Sequence, residues 1–419
     1  MINIANKLSD IKAEISSVII IKPNIDEFNK IIKLLLKFII INNCIIYGSY
    51  ALHRLLTEKK EQLYEETDIY DIDVYSYNPV KIGISLCNFV KKNGYNITMI
   101  NGIHKDTYKI YINSYNYCDI SYMPKNIYDT IPIIKHNKLT LIHPLIMIID
   151  KLRMFNNLLN TLWRFDKEYT RINIIMKYYG INNIINANKL NKIDISDISD
   201  ILIFIRQNLV KLRKSVIIGY YAYMYYYHIY KSGEIAYYVP YYEIISTDIE
   251  NETKIIVKLL KGQFKNIKVV YRYPFFQFLD KSAHIYHNNK LVMIIYGNYK
   301  LCQPYLYLDS KLVNIASYSL LLMYLMINYI KFIIFPDDIE KYNMAFMIKK
   351  MIYMKDEYLN KNELSITDES PFKFFIYQCI GNNVMEKKTV KFEYDPNKKS
   401  AVPKIKYENT SYDIIKQNM

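Results

Sequence analysis

C-I-I-Y-G-S-Y-A-L-H-R-L-L (residues 44–56) and T-D-I-Y-D-I-D-V-Y (residues 67–75) flank a charged loop, and the rest of the chain is read from them. Ile45 to Tyr47 has the make-up of a short buried strand that runs into Gly48-Ser49. Behind that turn, Ala51, Leu52, Leu55 and Leu56 fall on one side of a helix. Asp71-Ile72-Asp73-Val74 then reads as a strand. Side chains alternate along a strand, so Asp71 and Asp73 point one way while Ile72 and Val74 point into the core. Two carboxylates side by side repel each other unless a cation sits between them. Oxygen-only ligands suit Mg²⁺.

The Gly-Ser turn supplies a complementary feature. Free N–H groups and the dipole at a helix N-terminus form a seat for phosphate, and Gly48 lets the backbone come close. A phosphate seat beside metal-binding carboxylates points to a nucleoside triphosphate. A third strand carboxylate follows in Tyr117-Cys118-Asp119-Ile120-Ser121-Tyr122. A Gly-Ser turn alone says little, and an Asp-x-Asp pair is more often a solvated strand face. The ordered set, within the length of one small domain, carries the weight. Gly-Ser, helix, hydrophobic-Asp-hydrophobic-Asp resembles the nucleotidyltransferase superfamily of DNA polymerase β type, with a loop from Tyr50 to Tyr70 longer than that pattern usually has.

The 419 residues are enough for about two or three domains. A net charge of +15 favours a polyanionic partner, nucleic acid before anionic membrane. Tyr is abundant (44 residues), and Tyr faces with Lys and Arg suit single-stranded nucleic acid. Cys44, Cys87, Cys118, Cys302 and Cys379 show no Cys-x-x-Cys spacing; they read as reduced core residues of an intracellular protein, which argues against a zinc site. His284 and His287 read as surface or core residues rather than ligands. No signal peptide opens the chain. The run Ile315 to Phe335 approaches membrane-span length but carries Asn328 and Lys331, so a buried helix and no membrane are expected.

Along the chain, an N-terminal helical segment (1–43, broken at Pro23) precedes a catalytic sheet region (44–140). Tyr108 to Ile112 and Tyr117 to Tyr122 read as a hairpin around Asn113-Ser114-Tyr115-Asn116, which would bring Asp119 beside the Asp71/Asp73 strand. A helical region (141–235) opens at His143-Pro144. Its cations Lys151, Arg153, Arg164, Lys167 and Arg171 read as its polar side, with Arg164, Lys167 and Arg171 on one face. On spacing alone that row fits a solvated face slightly better than a clamp on a triphosphate or RNA backbone. The tyrosine run 219–227 cannot all face one side of a helix, and core packing is the better reading for most of it. A second α/β region (236–400) lacks any strand Asp-x-Asp pair, and a basic tail (401–419) reads as solvated. The fold class is α+β, that is, mixed α/β.

Further blocks resemble the catalytic subunit of the poly(A) polymerases of large cytoplasmic DNA viruses, of the poxvirus and giant-virus kind. They are Y-G-S-Y-A-L-H-R-L-L (47–56), D-I-Y-D-I-D-V-Y (68–75), C-D-I-S-Y (118–122), I-D-K-L-R (149–153) with W-R-F-D-K-E-Y-T-R (163–171), Y-P-F-F-Q-F (273–278), C-Q-P-Y (302–305) and S-P-F-K-F-F-I-Y-Q-C-I-G (370–381), in the family's order. The resemblance implies a nucleotidyltransferase domain followed by a degenerate second copy of that fold. It implies ATP as donor, a single-stranded mRNA 3′ end as acceptor, two Mg²⁺ or Mn²⁺ ions, and the host cytoplasm as location, in a viral factory or virion or with a cytoplasmic virus-like plasmid. By position, Asp71, Asp73 and Asp119 would be the catalytic metal ligands, Gly48 and Ser49 would hold the β- and γ-phosphates, and Lys151, Arg153 and Lys167 would contact nucleotide or RNA. Fewer residues precede the motif than in the poxvirus type. That favours a self-sufficient or homodimeric enzyme over one that docks a viral processivity or capping partner through such a region. Two other readings stay open: another template-independent RNA nucleotidyltransferase (short oligoadenylate or tRNA 3′-end addition), and a catalytically dead RNA-binding subunit.

Overall fold

Asn24 starts the described chain's first helix by accepting a hydrogen bond from the Asp26 backbone N–H at 2.8 Å, the usual work of an N-cap. The computed structural model describes residues 23–102, 106–156, 162–180, 189–212, 215–231, 238–298, 302–308, 313–381, 388–395 and 397–407. The expected helix before Pro23 and the tail beyond residue 407 lie outside them. The chain divides into two compact units, one drawn from Met1–Asp129, Ile133–Ile142 and Met385–Met419, the other from Thr130–Pro132 and His143–Val384.

In the first unit, α1 (Ile25–Ile41) leads to β1 (Ile45–Tyr47), α2 (Gly48–Thr57), β2 (Ile72–Ser76), α3 (Pro79–Lys92), β3 (Ile97–Asn101), β4 (Thr107–Ile112), β5 (Tyr115–Tyr122), α4 (Lys125–Tyr128), β6 (Ile133–His136) and β7 (Leu139–Ile142). α2 buries Ala51, Leu52, Leu55 and Leu56, the face its spacing predicts. α3 has Asn78 as its cap and Pro79 in its first turn, where a missing N–H costs nothing. Two-residue Asn113-Ser114, with φ of 47° and 70°, turns the β4–β5 hairpin. That turn is tighter than the four-residue loop expected, and it starts β5 at Tyr115.

The second unit runs α5 (Pro144–Phe155), α6 (Phe165–Tyr179), α7 (Ser199–Asn208), β8 (Ser215–Ile218), α8 (Gly219–Tyr230), β9 (Tyr242–Ser246), α9 (Ile249–Lys261), β10 (Ile267–Arg272), β11 (Ser282–His287), β12 (Lys290–Gly297), β13 (Gln303–Leu308), β14 (Val313–Ala316), α10 (Tyr318–Ile334), α11 (Asp338–Lys361) and β15 (Cys379–Ile380). The chain ends with β16 (Lys388–Asp395) and β17 (Ser400–Tyr407). These two strands, expected at the end of the C-terminal region and the start of a tail, form a hairpin that pairs with β3 in the first unit's sheet. α10 is buried from Tyr318 through Ile330, and no helix among the described residues is long and apolar enough to cross a membrane. Of the tyrosine run, Tyr220, Tyr221, Tyr223 and Tyr226 are buried on α8, and Tyr226 donates to the Ala316 carbonyl at 2.9 Å.

The first sheet has the order β17-β16-β3-β4-β5-β2-β1-β7-β6 and the second β10-β11-β12-β9-β8-β14-β13-β15. Without β16, β17 and β15 the two orders coincide, strand for strand. The senses of pairing coincide too: β1 and β8 are antiparallel to β2 and β9 and parallel to β7 and β14, and β2 and β9 are parallel to β5 and β12. The polypeptide is thus an internal duplication of one mixed α/β fold.

One expectation fails here. Cys302 and Cys379 are joined in a disulfide with Cα atoms 5.5 Å apart, so only Cys44, Cys87 and Cys118 are free and buried. The absence of a Cys-x-x-Cys pair speaks only of neighbours in sequence. The antiparallel pairing of β13 with β15 brings together two cysteines separated by 77 residues.

Candidate active site

β1 ends at Tyr47, and the positive φ of Gly48 (+70°) turns the chain straight into α2. A methyl group on Gly48 would collide with the carboxylate of Asp73, so only glycine lets the turn lie over that side chain. No side-chain hydrogen bond caps α2. Its first-turn N–H groups, at Gly48 and Ser49, are therefore placed for an anion. Tyr47 anchors the turn from below. Its ring stacks on Tyr75 (centroids 3.9 Å apart), and its hydroxyl is 2.8 Å from the Ser121 hydroxyl, which lies 2.9 Å from that of Thr107.

Register brings the acids together. Tyr47 lies opposite Asp73, and Asp73 opposite Asp119 across the parallel β2–β5 pair. Asp71 stands immediately before β2, on the same face as Asp73, while Ile72 and Val74 are buried beneath. Each of Asp71, Asp73 and Asp119 offers a carboxylate oxygen such that all three lie within 4.8 Å of one another, half-buried. Among the described residues no other group of three or more metal-ligating side chains converges in this way.

Two residues complete the cluster that sequence reading missed. The Lys109 ammonium is 2.9 Å from one oxygen of Asp119, and the Asn116 amide donates to the other at 3.1 Å. Burial works against the charge on Lys109, but Asp119 first and Asp71 more weakly outweigh it and raise its pKa. The signal for Lys109 lay in the hairpin. The two-residue turn and a bulge between Ile110 and Tyr111 set Lys109, not Ile110, opposite Asp119. The set fits a hard divalent cation: the donors are all oxygen, a lysine ammonium already lies against one of them, and the buried amide oxygen of Asn116 has no hydrogen-bond partner.

The remaining expected contacts belong to the second unit. Lys151 and Arg171 are buried, not solvated: Lys151 Nζ is 2.6 Å from Glu168 Oε2 and Arg171 is 2.9 Å from Glu168 Oε1. Arg164 lies 3.5 Å from the same carboxylate. Burial alone would raise the Glu168 pKa, but Lys151 and then the two arginines hold it below the ordinary value. A row of cations looks like a solvated face until its acid is located. Here Glu168 sits within the row and draws three of the five to itself. Arg153 pairs with Asp150 at 3.4 Å, and Lys167 is exposed although Arg171, one turn on, is not.

A family model described as "Poly(A) polymerase catalytic subunit" matches residues 33–161. A second, described as "APMV, Putative poly(A) polymerase, catalytic subunit, C-terminal", matches residues 173–418. The "Putative poly(A) polymerase catalytic subunit" of Acanthamoeba polyphaga mimivirus is 25% identical over 425 residues, spanning 91% of this chain and 72% of that protein. Its namesake in African swine fever virus (isolate Pig/Kenya/KEN-50/1950) is 30% identical over 172 residues, 38% of this chain and 35% of its own length. Among solved structures, the Megavirus polyadenylate synthase superposes with a TM-score of 0.77 at 24% identity, over 91% of this chain and 79% of that one; this is a likeness of fold.

Proposed function

The chain belongs to the poly(A) polymerase catalytic subunit family, and from that premise we propose which of its residues perform polynucleotide adenylyl transfer, and how. The enzyme joins adenylate from ATP to an RNA 3′ end without a template. The RNA 3′ oxygen attacks the α-phosphorus of ATP, its proton is lost, and the bond to the pyrophosphate oxygen breaks. The observation that carries the assignment is the meeting of Asp71, Asp73 and Asp119 within 4.8 Å beneath the Gly48 turn.

The family implies a divalent metal, and the fitting donors are Asp71, Asp73 and Asp119, which we propose hold two Mg²⁺ or Mn²⁺ ions. When bound, those ions supply Lewis-acid neutralisation of the phosphate charge and favour ionisation of the 3′-hydroxyl. The protein's own share is positioning. The N–H groups at Gly48 and Ser49 receive the β- and γ-phosphates. β2 and β5 fix the three carboxylates on one face. The hydroxyl chain of Tyr47, Ser121 and Thr107 ties β1, β5 and β4 together below them. Arg153 and the exposed Lys167 are proposed as contacts for nucleotide or RNA. Lys151, in its buried pair with Glu168, acts on such a contact by ordering the helix that carries Arg153.

We assign the enzyme to the host cytoplasm, in line with relatives from African swine fever virus and mimivirus. A primer-extension assay on a single-stranded RNA, offering each of the four nucleoside triphosphates with Mg²⁺ or Mn²⁺, tests the function. A long tail with ATP alone is expected. A few residues added, or equal use of all four, points to another template-independent nucleotidyltransferase.

A further inference from the structure

We propose that Lys109 is a resident counter-cation of the aspartate cluster: its ammonium holds Asp119 against Asp71 and Asp73 while no divalent ion is bound, and it swings aside when one binds. The inference rests on the metal-binding reading of these aspartates and goes beyond it by giving the site a built-in competitor.

Three carboxylates with oxygens within 4.8 Å of one another repel strongly unless a positive charge lies among them. Lys109 supplies that charge. It stands opposite Asp119 in the β4–β5 register, touches Asp119 Oδ2 at 2.9 Å and is within electrostatic reach of Asp71. The second oxygen of Asp119 is taken by the Asn116 amide at 3.1 Å. Both oxygens of Asp119 thus have protein donors; each keeps a further lone pair for an ion, but a divalent ion on that carboxylate would lie beside the Lys109 ammonium, and the two positive charges repel. The two donors differ in freedom. Asn116 reaches Asp119 along the same strand on a short side chain, whereas Lys109 reaches it on a long flexible stem that is one-third exposed, with water to receive it. The ammonium is therefore the group displaced.

The test uses the full chain without nucleotide, titrated with Mn²⁺ and followed by the loss of the free-ion electron paramagnetic resonance signal, with thermal midpoints measured in EDTA and in saturating Mn²⁺. Lys109→Met is expected to bind Mn²⁺ about three- to ten-fold more tightly than the parent. In EDTA its midpoint should fall by roughly 2 °C, and the gap should close or reverse in Mn²⁺. Lys109→Arg keeps the charge and should bind Mn²⁺ as the parent does. Lys109→Gln, polar and close in length, should follow Lys109→Met, and that pair decides the matter if the methionine variant does not fold. A purely structural clamp would give the opposite sign: weaker or unchanged Mn²⁺ binding in both Lys109→Met and Lys109→Gln overturns the proposal. Asp73→Asn separates the two readings. Parent-like Mn²⁺ binding by that variant refutes the metal site itself. Lost binding there, together with parent-like affinity in Lys109→Met, refutes the counter-cation alone.

Discussion

Gly48 and Gly219 occupy the same turn in the two halves of the duplication, at φ of +70° and +64°, each where an added methyl would collide with an acidic side chain on the neighbouring strand. Above Gly48 the turn is half-buried, and the next residue is Ser49. At Gly219 it is buried, and the next residue is Tyr220, whose hydroxyl donates to Glu340 at 2.9 Å. Register extends the correspondence. Asp73 lies opposite Tyr47, and Glu243 opposite Ile218. Ser76 and Ser246 each accept the backbone N–H two residues on at 3.0 Å, and Asn78 and Asp248 each cap the helix that follows. The partner of Asp73 across the parallel pair is Asp119, whereas the partner of Glu243 is Ile294. Two residues before Glu243 stands Tyr241 in place of an aspartate. The second copy keeps the scaffold and one of three acids, closes the turn with a tyrosine, and buries the surviving carboxylate under the Tyr296 hydroxyl at 3.1 Å. With the backbone shared so closely, the two copies differ in a few side chains and in whether the turn is open, not in the fold.

That contrast can be broken by exchanging equivalent positions. Asp73→Ala is expected to lower tailing on the order of 10³-fold or more at unchanged stability, while Glu243→Gln leaves the tailing rate within about two-fold; an equal loss in both, measured by RNA extension, would show the second copy to be catalytic. The glycine pair comes next. Gly48→Ala should lower the turnover number about 10²-fold by pushing Asp73 out of line, with ATP binding also weakened. Gly219→Ala should instead cost stability, about 2 kcal/mol from left-handed strain and overpacking, and leave the activity of the folded fraction intact. Chemical denaturation beside single-turnover assays separates the two.

How much of this contrast was legible in the sequence differs between the halves. Gly48-Ser49, Asp71, Asp73 and Asp119 stood out because alternation and a turn residue place them with no knowledge of distant contacts. Y-E-I-I-S (242–246) carries the same frame as I-D-V-Y-S (72–76), but Glu243 reads as a lone acid in an apolar strand, and only the register with β8 and β12 reveals its ancestry. The strand β8, the four residues that lead directly into the tyrosine run, falls in a stretch that reads as helical because the run dominates its neighbourhood. Lys109 escaped for another reason, since its pairing is set by a bulge; in the Glu168 hub Arg164 and Arg171 are one-turn neighbours that spacing does encode, and only Lys151 depends on packing between helices.

The smallest effect expected is a dependence of stability on pH. Burial first, then the nearby Glu340, raises the Glu243 carboxyl from 4.5 to about 7, and burial raises Glu340 to about 7 as well. The folded state therefore binds these protons more tightly than the unfolded chain. Stability falls as pH rises from 4.5 toward 7 and levels off above that. Glu243→Gln should flatten the fall, gaining on the parent at pH 8 relative to pH 5 in melting experiments. The same gain at both pH values would contradict the buried-acid account of the second copy.

The most direct measurement is anomalous diffraction from crystals soaked with Mn²⁺ and a non-hydrolysable ATP analogue. The account predicts manganese peaks bound by Asp71, Asp73 and Asp119, with the triphosphate on the N–H groups of Gly48 and Ser49 and no peak at Glu243. Manganese elsewhere, with Asp119 still held by Lys109 and Asn116, would contradict it.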